Sequence, residues 1–83
     1  MNTHQVRTYP TFLDAVLLGD KTFEITKNDR GYEVGDLVLM TDDSRWAEIK
    51  IKYMTSYAQR RGYVVFSFDL INSGVFKGAE CPF

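Results

Sequence analysis

Gly19-Asp20-Lys21-Thr22-Phe23-Glu24-Ile25-Thr26-Lys27-Asn28-Asp29-Arg30 is the most informative stretch of this 83-residue chain. Phe23 to Lys27 alternates like a strand, so Glu24 and Thr26 share one face. Lys21, Lys27 and Arg30 stand close in sequence to Asp20, Glu24 and Asp29. One strand with its flanking turns does not require such a density of charge.

Before it, Tyr9, Phe12, Leu13, Val16 and Leu17 recur at helical spacing, which predicts a helix from Pro10 to Leu18 with that stripe buried. Pro10 suits the first turn, where its missing N–H costs nothing. Gly19 suits the left-handed position that ends a helix. A short strand over His4 to Thr8 precedes it.

After it, Asn28-Asp29-Arg30-Gly31 and Val34-Gly35-Asp36 are turn signals. Leu37 to Met40 reads as a buried strand, and Asp42-Asp43-Ser44 turns the chain again. From Trp46 to Tyr53, Ala47, Ile49, Ile51 and Tyr53 alternate with Glu48, Lys50 and Lys52, as in a half-solvated strand. Ser56 to Gly62 is a polar, basic loop. Tyr63 to Ile71 is the last long strand, with Val64, Phe66, Phe68 and Leu70 toward the core. Beyond Asn72 the pattern is ambiguous, with Phe76 and Phe83 as anchors to the core. Five strands and an early helix with short connections predict a mainly β, α+β fold: a small antiparallel sheet curling into a barrel. The pattern leaves the kind of barrel open.

Residues 1–83 make one domain at this length. A hydrophobic share of 45% argues for a globule and against disorder. The net charge of −1 is unlike that of a dedicated duplex-DNA binder. Any nucleic-acid site is therefore a local patch, drawn from Arg7, Lys21, Lys27, Arg30, Lys50, Lys52, Arg60 and Arg61. Cys81 and His4 are the only residues of their kinds, which excludes an intrachain disulfide and a cysteine- or histidine-rich metal site. No metal and no cofactor is expected. With neither signal peptide nor apolar span, the expectation is a cytoplasmic chain without a membrane partner.

The central stretch resembles the glycine-x-lysine-x-x-glutamate-x-arginine motif of the ASCH (activating signal cointegrator homology) domain, most of all a phage-associated bacterial subfamily of unassigned function. Gly19, Lys21, Thr22, Phe23, Glu24 and Ile25 carry the motif, and Lys27, Asn28, Asp29 and Arg30 the turn that marks the subfamily. His4, Arg7, Pro10, Val34 to Asp36 and Gly62 to Val65 extend the likeness; Thr41 to Gln59 matches poorly. Thr26 stands where the motif has arginine. The resemblance implies a PUA-like β-barrel of five or six strands, with one or two helices, that binds RNA or a modified nucleoside in a cleft near the motif.

Lys21 follows the helix stop and is placed to hold a phosphate or a carbonyl oxygen, although a solvated lysine before a strand has the same spacing. Glu24, without the motif arginine, needs another cation, first Lys21 and then Arg30. Asn28 and Asp29 are ordinary turn formers. Arg30 suits a phosphate or a clamp on Asp29 or Glu33. Tyr57 beside Arg60 and Arg61 suggests base stacking over a phosphate patch, against the simpler reading of a solvated loop. Lys21, Glu24, Lys27, Arg30, Tyr57, Arg60 and Arg61 are thus the candidate nucleic-acid contacts. The alternative, again implied by the resemblance, is an amidohydrolase acting on acylated cytidine-type nucleosides through a lysine, a threonine and a glutamate. Lys21 matches that lysine; the threonine position holds Glu24, and the late glutamate has no counterpart. An enzyme would rest on Lys21 and Glu24.

Overall fold

A computed structural model describes residues 2–76. Its elements are β1 (Thr3–Arg7), α1 (Pro10–Leu18), β2 (Phe23–Lys27), β3 (Leu37–Thr41), β4 (Arg45–Thr55) and β5 (Tyr63–Val75). The protein is mainly β with one helix, and its single five-stranded sheet curls into a half-barrel. Strand order is β1-β3-β4-β5-β2, so the first and second strands of the chain form the two edges.

The helix has the bounds its punctuation predicts. Pro10 opens it, and Gly19 closes it at φ 85°. The Gly19 and Asp20 N–H groups return to the carbonyls of Val16 and Ala15, which satisfies acceptors that a helix end otherwise leaves bare. Leu13 and Val16 point into a core built from Val38, Met40, Ala47, Ile49, Ile51, Phe66 and Phe68, with Tyr32. Arg45 ties the helix to the sheet: its guanidinium donates to Asp14, to the Pro10 carbonyl and to Asp42.

Several expectations need correction. The sheet is mixed, because β1 pairs in parallel with β3. Tyr9 and Phe12 are exposed, at 74% and 48%; only Leu13, Val16 and Leu17 of the helical stripe meet the core, and its first turn overhangs the open side of the half-barrel. Tyr53 is exposed as well. The step from Ile51 to Tyr53 on β4 faces the single step from Phe68 to Ser67 on β5, so Lys52 is an extra residue. Such a bulge reverses the faces beyond it, and Met54 packs on the core instead. Leu70 is 41% exposed. β2 begins opposite Ser67, so past Phe68 the strand β5 has only β4 beside it. β5 nevertheless continues to Val75, through Gly74, where an added Cβ would come within 2.8 Å of the Trp46 ring. Phe76 is half-buried; Cys81 and Phe83 lie outside the described residues.

Candidate functional site

Both edge strands border one cavity of about 280 Å³, lined by Val6 to Tyr9, Phe12, Glu24 to Thr26, Tyr32, Val38, Met40 and Phe66. The half-barrel is open along this seam, and the cavity is its mouth. Hydrogen-bond parity explains what the β2 side offers. The Phe68 N–H bonds the Thr22 carbonyl, and the Asn28 N–H bonds the Gly62 carbonyl. In an antiparallel pair the bonded residues alternate, so even-numbered residues of β2 face β5. The N–H and C=O groups of Phe23, Ile25 and Lys27 are turned to the seam.

Glu24 sits at this edge. Its Oε1 accepts from Lys21 Nζ at 3.2 Å and from the Ile25 N–H at 3.2 Å. The turn after Gly19 folds Lys21 back over Phe12, with Nζ 4.3 Å from the ring centroid. The Lys21 and Glu24 side chains retain 16% and 22% of their exposure, enough for a ligand to reach them. Lys21 itself does not line the cavity, but both of its partners do. Thr26 lines it too, so the position where the resembling motif has arginine faces the same space.

Tyr32 forms the floor and was not among the residues singled out from sequence. It is buried, packed against His4 at 4.7 Å and Phe66 at 5.3 Å between ring centroids. Burial pushes its phenol above the usual range; the Arg30 guanidinium opposes this, and Asp29 and Glu24 add to it. Its backbone N–H is held by Asn28 Oδ1 at 2.9 Å. Asn28 therefore has a definite structural task, the side-chain turn expected of its type.

Below the floor, Asp36 is 1% exposed and receives the Asn2 N–H, the Glu33 N–H and His4 Nε2. The His4 bond, helped by the Asn2 N–H, lowers the Asp36 carboxyl below the ordinary range, against the effect of burial. At the β3–β4 turn, burial also opposes ionisation of Asp42, yet hydrogen bonds from Arg45 and Ser44 bring it down to about 2. Sequence spacing gave no weight to Asp36 beyond a turn, nor to Arg45. The available signal was an Asp three residues before an Arg, with a serine between them.

The remaining candidate contacts are outside the cavity lining. Asn28 bonds Gly62, so the loop after β2 touches the loop before β5. That contact brings Lys27, Arg30, Arg60 and Arg61 to one end of the molecule, all exposed and without an ion pair to any described residue. Arg30 clamps neither Asp29 nor Glu33 by an ion pair. Tyr57 is 85% exposed in the same loop and does not line the cavity. Arg7 and Lys52 are committed to Asp43 and Asp69. Among the described residues, no group of three or more His, Cys, Asp or Glu side chains is placed to hold a metal ion, and no helix is long and apolar enough to cross a membrane.

Fold and site together define a small, mainly β module with a cleft of mixed apolar and polar lining where its half-barrel fails to close. The chain belongs to the DUF3850 family, a domain of unknown function, which matches residues 3–68. No curated protein matches it.

Proposed function

We propose that this protein is a nucleobase-binding module that takes a nucleoside, or an unstacked base of RNA, into the seam between β1 and β2. The observation that carries the reading is a cavity lined by Glu24, Phe12 and Tyr32, with Lys21 held against two of these, the Glu24 carboxylate and the Phe12 ring. A ring system needs an apolar wall and a few polar groups that fix its edge, and the seam supplies both. Lys27, Arg30, Arg60 and Arg61, gathered by the Asn28–Gly62 contact and without an ion pair to any described residue, suit a phosphate backbone attached to a base in the cavity. The ASCH-like motif supports the same reading. The amidohydrolase alternative has less behind it: Lys21 is engaged by Glu24 and the Phe12 ring, and a nucleophile needs a base placed to activate it.

A titration of short single-stranded RNA at low and at physiological salt tests the proposal. About four cations predict a log–log salt slope of only a few units. Arg60→Ala with Arg61→Ala should reduce that slope while nucleoside binding stays unchanged. Tight, salt-insensitive binding, or nucleoside binding lost with the two arginines, would contradict it. Acylated cytidine should pass through the purified protein intact; turnover abolished by Lys21→Ala would make it an enzyme.

A further inference from the structure

Two donors converge on one oxygen at the rim of the seam. Lys21 Nζ and the Ile25 N–H each lie 3.2 Å from Glu24 Oε1. The Ile25 N–H belongs to the free edge of β2, so the sheet itself provides no acceptor for it. The carboxylate fills that place from the neighbouring residue. A lone structural ion pair would explain the lysine; it would not explain why the same oxygen also covers an edge donor at a ligand-sized cavity.

We infer that Glu24 Oε1 occupies the position of a ligand carbonyl oxygen, and that the cleft selects the lactam edge, –CO–NH–, of a heterocycle. The inference rests on the nucleobase reading above and narrows it. An incoming oxygen must replace Oε1 as acceptor of two hydrogen bonds. A carbonyl oxygen has two lone pairs for this, and a ring nitrogen has one. Once displaced, the Glu24 carboxylate is an acceptor without donors of its own and stays tethered beside the same spot. It then accepts an N–H from the atom next to the ligand carbonyl. Phe12 and Tyr32, both lining the cavity, provide the apolar walls for the ring.

The complement is specific. Uracil presents O4 beside N3–H, hypoxanthine and guanine present O6 beside N1–H. Adenine offers only a ring nitrogen beside its amino group. On cytosine, the O2 carbonyl neighbours N3, whose lone pair would oppose the carboxylate, while the N3–N4 edge has a single lone pair for two donors. Lys21 and Ile25 therefore read the carbonyl, and Glu24 reads the adjacent proton.

Calorimetric titration with uridine, inosine, cytidine, adenosine and 3-methyluridine tests this on the unaltered protein. Uridine and inosine should bind roughly tenfold or more tightly than cytidine and adenosine, the scale of a well-made bidentate contact. 3-Methyluridine keeps the carbonyls but lacks the N–H, and should fall to the level of cytidine. Lys21→Met should erase most of the preference and Lys21→Arg retain part of it. Equal binding of all four nucleosides, or of uridine and its 3-methyl form, would overturn the lactam assignment and leave the nucleobase reading standing. Binding of none would overturn both.

Discussion

Asp36 and Glu24 are both carboxylates that accept hydrogen bonds from side chain and backbone, yet their surroundings give them opposite uses. Asp36 lies under the floor with three donors, Glu33 in its own loop and two from the distant start of the chain, Asn2 and His4. It joins an edge strand to its neighbour and is out of reach of any ligand. Glu24 has only local partners, one residue after it and three before it, and it faces a cavity. Groups whose partners are distant in sequence hold the fold together. A group whose partners are all local can exchange them without disturbing the fold.

Stability is the sharpest way to break this contrast. Asp36→Ala leaves three donors without their acceptor in a buried place, at a cost on the order of 3 kcal/mol. Glu24→Gln removes a partly exposed ion pair worth about 1 kcal/mol or less. Urea unfolding of the two variants should keep that order. Equal losses would mean that Glu24 is also structural.

Acid sharpens the contrast further. The folded-state carboxyls of Asp36 and Asp42 are depressed, Asp42 to about 2 from an unfolded value of 3.8. A depressed carboxyl contributes stability above its unfolded value and loses it as the pH falls through its folded one. The protein should therefore hold its stability down to about pH 4 and lose it toward pH 2, as followed by circular dichroism. Asp42→Asn should shrink that acid-labile share. A flat profile between pH 4 and pH 2 would remove the role assigned to the network around Arg45.

The helix and β2 were legible because punctuation and period agree there: Pro10 and Gly19 bracket one, and the alternation of Phe23 to Lys27 defines the other. The facing of Glu24 with Thr26 and the closeness of Lys21 to Glu24 followed from the same local rules. What escaped was set by distant partners. Nothing in Thr3–Arg7 specifies that it lies parallel to β3 as an edge. The extra residue at Lys52 leaves the alternation of Ala47 to Tyr53 intact in sequence while turning its last member, Tyr53, outward in space. Tyr32 stands between two turn signals, and only the closing of the Asn28 turn and the packing of His4 and Phe66 bring it under the cavity. The loop holding Arg60 and Arg61 meets the turn after Lys27 through the Asn28–Gly62 backbone contact, which no local pattern announces.

The most direct test of the seam as the ligand site follows the backbone amides of the nitrogen-15-labelled protein during titration with uridine. The Ile25, Thr26 and Tyr32 amides should shift together and saturate at one dissociation constant. The Ile25 signal should move most, because its N–H changes acceptor. Shifts confined to Arg60, Arg61 and Gly62, with Ile25 unmoved, would contradict it.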